Sequence, residues 1–457
     1  MNRKLLYRYF LHHPNVCTDN RRVQKGDLFF ALVGPNHDGN DYAQAALDAG
    51  AAYAVVSRKE LAQQDERYLY VPDTLRALQE LAYTHRMTFH GPVIAITGTN
   101  GKTTTKELCH VVLNQKYNVL ATEGNLNNHI GVPLTLLRLR PEHEVAIIEM
   151  GASAKGEIRL LSAIAQPTAG LITNIGKAHL EGFGSVEGVL EAKSELPEQL
   201  RKTGGDFFLN DDDDRLRERW SDFARLKYGS HHSVEHRLDV VGRILIDQPH
   251  LTVLVSGMGA QDMVPTSLTG KYNYQNVLAA ATVGLYLGVP MADIRNAIES
   301  YAPSNNRSQI EQLHREINVI MDAYNANPSS MHEALENLAK APEQHKYAIL
   351  GDMLELGVAT AEEHRAILAW LRQHPAIHAL LCGHAFSALA PEEYPCFADV
   401  DELVSYLKGQ KIPDDSCILV KGSRSIRLER VFSTLEELAL EGKTYDGRLW
   451  ISKHRTE

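Results

Sequence analysis

The chain has 457 residues, too many for one ordinary domain, and two to four are expected. Hydrophobic residues make up 44%, enough for packed cores, while 47 basic against 57 acidic side chains give a net charge of −10 and argue against a nucleic-acid surface. Five cysteines, odd in number and without a CxxC pair, fit a reducing compartment and argue against a zinc ribbon. Met1–Phe10 holds basic residues but no apolar run long enough for a secretory signal, and no stretch approaches the roughly 20 apolar residues of a membrane helix. A soluble, cytoplasmic protein is expected.

Residues 1–87 come first. Leu28–Val33, Tyr53–Val56 and Tyr68–Val71 read as strands, with an alanine-rich helix over Tyr42–Ala52 between the first two. Strands alternating with helices predict a small α/β domain. Two polar loops punctuate it, Thr18–Arg21 and Gly34–Gly39, and either can be a simple turn or a contact loop.

The next region, 88–310, opens on the strongest motif. Val93–Thr97 is a short β-branched run that reads as a buried strand. It breaks at Gly98 and turns through Asn100-Gly101, after which Leu108, Val111 and Val112 recur at helical spacing. Strand, glycine-rich turn, Lys102-Thr103, helix is the context of a phosphate-binding loop. Such glycines let backbone N–H groups converge on phosphate oxygens, and the helix N-terminus adds partial positive charge. Lys102 would reach the terminal phosphates and the Thr103 hydroxyl would hold magnesium. The standard spacing is not met, because Ile96 stands where the first glycine of GxxxxGK belongs. A tight turn that binds nothing is the plain alternative.

Further apolar strands follow, each ending in polar residues. Val145–Ile148 runs into Glu149, and Leu171–Thr173 runs into the loop that carries His179. In parallel α/β sheets a ligand lies beyond the carboxyl ends of the strands, so both residues point toward the phosphate loop. A lone glutamate there is also a common cap or ion-pair partner, but magnesium prefers carboxylate and hydroxyl oxygen. Lys193 sits in a helical pattern and reads locally as a surface lysine, while Asp211–Asp214 reads as a solvated turn. Asn273 and Asn276, at i and i+3, would share one face of an alanine-rich helix, although capping alone would explain the first.

The third region, 311–457, repeats the strand-then-polar pattern. Ile317–Met321 leads into Asp322–Pro328, Tyr347–Leu350 into Gly351-Asp352, and Cys417–Val420 into Lys421–Arg424, with another strand at Ala379–Cys382 and a helix at Ala361–Leu371. A second open parallel sheet with helices on its faces is expected. No internal repeat or low-complexity segment is present.

Together these residues resemble the Mur ligase family, ATP-dependent enzymes that form amide bonds in peptidoglycan synthesis. Gly98-Thr99-Asn100-Gly101-Lys102-Thr103-Thr104 matches the family's variant phosphate loop. Glu149–Ala152, the His179 segment, Asn273, Asn276, Arg307 and Asp322–Pro328 occur in the family's order. Gly124–Pro133, Leu350–Gly357 and Lys421–Arg424 point within the family to the member that adds D-alanyl-D-alanine to a UDP-muramoyl tripeptide. Asn20 departs from the pattern, since the family's uridine-contacting loop carries serine there.

The resemblance implies three α/β domains: 1–87 for the UDP-sugar, a P-loop ATPase-type parallel sheet in 88–310 for ATP, and a Rossmann-like 311–457 for the dipeptide. It implies an acyl phosphate intermediate and a monomer. Thr103 and Glu149 would hold one magnesium ion and His179 a second, with Lys193 contributing as a carbamate. Lys102 and Arg307 would face the γ-phosphate, Asn273, Asn276, Asp322 and Asn325 the nucleotide, and Asn20, Arg21, Asn127, Asn128, Asp352 and Arg424 the substrates. Arg424 fits a dipeptide carboxylate through its planar fork, or an ordinary surface ion pair. The alternatives are the ligase that adds the third peptide residue, folylpolyglutamate synthase, or a nucleotide-switched regulator. The domain ahead of the phosphate loop argues against the folate enzyme, and a switch would not need Lys193, His179 and Glu149 together.

Overall fold

Three separate parallel or mostly parallel sheets organise the computed structural model, which describes residues 1–230, 237–303, 307–389 and 394–440. Residues 441–457, the end of the expected third domain, lie outside the described residues.

The first sheet places Val16–Cys17, Leu28–Phe30, Tyr53–Val56 and Tyr68–Tyr70 side by side in chain order, all parallel. The strand expected over Leu28–Val33 stops at Phe30. The Leu32 N–H turns back to the Phe30 carbonyl at 3.0 Å, and Val33-Gly34 pairs with His37-Asp38 in a small hairpin. The polar Gly34–Gly39 loop is the turn of that hairpin. Its last residue is packed so closely that a Cβ on Gly39 would lie 2.6 Å from the Leu32 carbonyl. The following helix is shorter than expected, Ala43–Asp48, and the chain leaves it through Gly50 at φ 111°.

Among the described residues the central sheet has nine strands. Across it the order is Ala260–Pro265, Thr252–Gly257, Val240–Ile246, Leu226–Gly229, Asp206–Asn210, Ala169–Ile172, Val93–Thr97, Val145–Glu149 and Val119–Ala121. The first three pair antiparallel with one another, and the remaining pairs are parallel. Every residue of Val93–Thr97 is buried, as a strand covered by helices on both faces requires. The chain leaves this strand toward Val119–Ala121 and Val145–Glu149, then crosses to Ala169–Ile172 on its other side. Thr97 therefore ends at the point where the strand order reverses, and a ligand crevice opens there.

The third sheet runs Gln309–Leu313, Ile317–Asp322, Ser416–Lys421, His345–Gly351, Ile377–Cys382 and Cys396-Phe397. Only its first pair is antiparallel. Because Ser416–Lys421 lies between Ile317–Asp322 and His345–Gly351, Asp322 and Lys421 stand in register at one edge, with Leu350 on the other side. That edge faces the phosphate loop. Asn327 Nδ2 donates to Asn100 Oδ1 at 2.8 Å, the Lys177 N–H donates to Ser329 Oγ at 3.1 Å, and Lys177 Nζ pairs with Glu363 at 2.6 Å.

The acidic run is a turn, as its composition suggests, and Asp214 is exposed, but two of its carboxylates are drawn inward. Asp211 is buried, and Asp213 caps the helix Asp214–Trp220 through the Leu216 N–H at 3.2 Å while also accepting from the Ile175 N–H at 2.7 Å. Burial raises the Asp213 carboxyl above its ordinary range.

Candidate active site

The phosphate loop is shaped by two glycines that tolerate no side chain. Gly98 has φ 146° and a Cβ there would lie 1.9 Å from Thr173 Oγ1; Gly101 has φ 75° and a Cβ there would meet Asn276 Oδ1 at 2.3 Å. Gly101 leads directly into the helix Lys102–Leu113. Side chains from a neighbouring strand end fix the turn between them. Thr173 Oγ1 donates to the Asn100 carbonyl at 2.6 Å, and the Asn100 N–H donates to Asn174 Oδ1 at 3.0 Å.

Asn273 and Asn276 do share one buried face of the helix Asn273–Tyr286, and Tyr272 precedes them, so Asn273 is not the cap. Asn276 Nδ2 donates to Asn273 Oδ1 at 2.9 Å, and Asn276 Oδ1 accepts from Thr105 Oγ1 at 3.0 Å. In this structure Asn276 buttresses the loop from behind.

Lys102 folds over its own turn. Its Nζ donates to the Gly98 and Thr99 carbonyls, both at 2.8 Å. Burial lowers its pKa to about 8, Glu149 opposing the shift and Arg307 adding to it. An incoming phosphate would supply the negative charge that this ammonium lacks.

Glu149 is 1% exposed, and its Oε1 accepts from Asn127 Nδ2 at 2.7 Å. Its Oε2 is buried without a hydrogen-bond partner, an unusual condition for a carboxylate oxygen. Glu149 and Thr103 both line the cleft, so this orphaned oxygen and the hydroxyl would suit a magnesium ion. Among the described residues no three His, Cys, Asp or Glu side chains converge, so a closed all-protein metal cage is not formed there.

The cleft has a volume of about 1240 Å³. It gathers most of the expected residues: Thr99 through Thr104, Asn127, Asn128, Glu149, His179, Asn273, Asn276, Arg307, Asp322 and Asn325 all line it. Arg307 lies over the Tyr324 ring, 3.6 Å from guanidinium carbon to centroid. Lys421 Nζ pairs with Asp322 Oδ2 at 2.5 Å.

A second cavity of about 580 Å³ opens beside it, with Arg424 in its wall and its guanidinium 4.9 Å from the same Tyr324 ring. The two cavities share His179, Asn325, Asn327 and Glu355. His179 Nδ1 pairs closely with Glu355 Oε2, and this contact keeps Glu355 below the usual carboxylate range.

Four expected site residues lie elsewhere. Asn20 and Arg21 form an exposed turn in which Arg21 grips Asp19, and neither lines a cavity described above. Asp352 is 3% exposed and accepts from the Ala385 and Phe386 N–H groups at 2.7 and 3.0 Å, so it caps a short helix. Lys193 is buried behind the wall, its ammonium 5.4 Å from the Phe183 ring centroid, and burial with the Lys102 charge pushes its pKa well down. It is not the surface lysine that its local pattern suggests. Tyr324, Glu355 and Lys421, which fall inside the stretches Asp322–Pro328, Leu350–Gly357 and Lys421–Arg424 but have no role of their own in the resemblance, line these cavities together with Glu333. Tyr324 and Glu355 follow strands of the third sheet and Lys421 ends one, the position that would have found these three, whereas Glu333 lies within the helix Pro328–Ala339.

Family models match three consecutive parts of the chain: the Mur ligase family catalytic domain over residues 12–86, the Mur ligase middle domain over 96–284, and the Mur ligase glutamate ligase domain over 306–424. The UDP-N-acetylmuramoyl-tripeptide–D-alanyl-D-alanine ligase of Bacillus subtilis is 33% identical over 437 residues, 93% of each chain. That of Escherichia coli is 36% identical over 92% of this chain and 93% of its own. Among solved structures, MurF from Acinetobacter baumannii superposes with a TM-score of 0.83 at 32% identity, covering 93% of both chains. MurF from Thermotoga maritima, solved with ADP, gives 0.81 at 26% identity, covering 94% of this chain and 99% of its own. The phosphate loop, the carboxylate facing it and the third sheet closing over both thus sit in a chain that belongs to the Mur ligase family.

Proposed function

We propose that this enzyme joins D-alanyl-D-alanine to a UDP-N-acetylmuramoyl-tripeptide, using ATP to turn the tripeptide carboxylate into an acyl phosphate. One observation carries the reading: a phosphate-loop cleft and an arginine-bearing cavity meet at His179, Asn325, Asn327 and Glu355. An acyl phosphate made on one side is thereby offered to an amine arriving from the other. The relatives named above support the identity of both substrates. Residues 1–87 would hold the UDP-sugar, 88–310 ATP, and 311–457 the dipeptide, in a cytoplasmic monomer.

A carboxylate is a poor electrophile, and phosphorylation gives it a leaving group. Lys102 and Arg307 offset the charge on the transferring phosphoryl group. Asp322, positioned by Lys421, presents a carboxylate oxygen to the nucleoside end. Thr103 and Glu149 would hold magnesium, with His179 near a second ion, and the metal would neutralise phosphate charge. The third sheet closes over the loop through Asn327 and Asn100 and keeps water from the acyl phosphate.

Lys193 suits carbamylation by carbon dioxide. The reaction needs a neutral amine, and burial favours that form. A ¹³C-bicarbonate adduct on the wild type, absent from Lys193→Ala, together with partial rescue of that variant by acetate, is the expected result. An active, unrescued Lys193→Ala enzyme would contradict it.

The substrate assignment is tested by phosphate release across a panel of UDP-muramoyl peptides and amines. Release should require the tripeptide and D-alanyl-D-alanine together. Faster release with a muramoyl dipeptide and a single diamino acid would place the enzyme elsewhere in the family.

A further inference from the structure

Among the described residues, the junction between the two cavities contains one carboxylate. Of the four residues lining both, His179, Asn325 and Asn327 present nitrogen or amide groups, and only Glu355 is anionic. The loop that carries it is fixed residue by residue. The Met353 N–H donates to His364 Nε2 at 3.1 Å, the Leu354 N–H to Ser423 Oγ at 3.0 Å, and the Glu355 carbonyl accepts from the Glu181 N–H at 3.2 Å. Met353 and Leu356 are buried on either side.

Glu355 itself adopts φ 61°, a left-handed conformation that costs a residue with a Cβ and persists only where its surroundings impose it. The result is a side chain 60% exposed, aimed into the cleft, whose close partner is a ring nitrogen of His179.

An amine reaches such a site protonated at neutral pH, because its pKa lies above 7. It must be received next to an acyl phosphate, among the cations that serve the phosphates. An anionic acceptor at the junction is what that geometry lacks without Glu355. Arg424 and Arg427, farther along the second cavity, supply the opposite charge for the other end of a zwitterion.

We propose that Glu355 receives the ammonium group of the incoming dipeptide, displacing His179 from its carboxylate. The assignment rests on the proposed reaction and adds to it the residue that orients the acceptor. It is a binding role, complete before any bond to carbon forms.

The test compares D-alanyl-D-alanine with propionyl-D-alanine, which keeps the carboxylate and lacks the amine. Calorimetric binding is measured on the full enzyme holding a non-hydrolysable ATP analogue, Mg2+ and the UDP-tripeptide. Wild-type enzyme should favour the dipeptide by about 10–100-fold, the range of a charge-assisted hydrogen bond. Glu355→Gln should bring the two ligands within about twofold while leaving affinity for the ATP analogue unchanged, since the exposed side chain carries no core packing. Glu355→Gln that keeps the wild-type preference would overturn the assignment. So would a Glu355→Gln enzyme whose Mg2+-dependent affinity for the ATP analogue falls in parallel, because the carboxylate would then serve a divalent cation. Wild-type enzyme that binds neither ligand would instead overturn the proposed reaction itself, and the assignment with it.

Discussion

The two sides of the catalytic cleft are built on opposite principles. On the phosphate side, shape comes from backbone: Gly98 and Gly101 allow contacts that no side chain would permit, and Thr173, Asn174, Asn273 and Asn276 hold the turn through neutral hydrogen bonds. On the acceptor side, shape comes from charge: Glu355 beside His179 at the junction, with Arg424 and Arg427 in the wall of the second cavity. Neutral networks deep in a domain are rigid and indifferent to salt, whereas paired charges near a cleft can exchange partners when a ligand arrives. The nucleotide side is therefore preformed, and the acceptor side is a set of placeholders that a zwitterionic substrate replaces.

The contrast is most severely tested at Lys102, a cation set in the turn of the preformed side. Lys102→Ala should lower ADP formation by roughly 10³-fold, the scale of losing a group that faces developing charge. Circular dichroism should show an intact fold. Near wild-type turnover by the folded variant would refute the site.

Gly101→Ala comes next. A methyl group 2.3 Å from Asn276 Oδ1 at φ 75° should strain the loop by about 1–3 kcal/mol and weaken ATP binding about 10–100-fold, measured by calorimetry. Unchanged affinity would show that the loop is softer than its hydrogen bonds imply.

On the acceptor side, Arg424→Ala should raise KM for the dipeptide about tenfold and leave KM for ATP in place, the loss expected for one exposed charge contact. Equal effects on both would erase the distinction between the two sides.

The smallest effect concerns Glu333, which burial raises to about 7 from an ordinary 4.5. Between those values the folded chain retains a proton that the unfolded chain has lost, so this group's contribution to stability falls as pH rises from 4.5 to 7. Glu333→Gln should flatten that part of the denaturation profile. A steeper slope in the variant would contradict the assignment.

What the sequence disclosed follows the same division. A β-branched run ending in glycine and Lys-Thr announces a phosphate loop from local chemistry alone, and Glu149 announces itself by following a buried strand. Asn276 as a buttress of Gly101 was not legible, because the contact joins residues far apart in the chain and depends on how two helices pack. Asp352 misled for the opposite reason: a strand-end aspartate reads as a ligand, yet the nearby N-terminus of His384–Leu389 claims it. Asp211–Asp214 misled in part by composition, since acidic runs are ordinarily solvated, whereas Asp213 is drawn inward by the Ile175 N–H and a helix start. Glu355 lies inside the Leu350–Gly357 stretch that carries the resemblance, but its own role was not legible, because a left-handed glutamate in a pinned loop has no sequence pattern.

The central claim is that the preformed side makes an acyl phosphate before the acceptor side delivers its amine. It is tested most directly with UDP-muramoyl tripeptide labelled with ¹⁸O in its terminal carboxylate, followed by mass analysis of the released phosphate. The account predicts that each amide bond formed transfers one labelled oxygen to inorganic phosphate and leaves the other in the product. Unlabelled phosphate accompanying amide formation would contradict it.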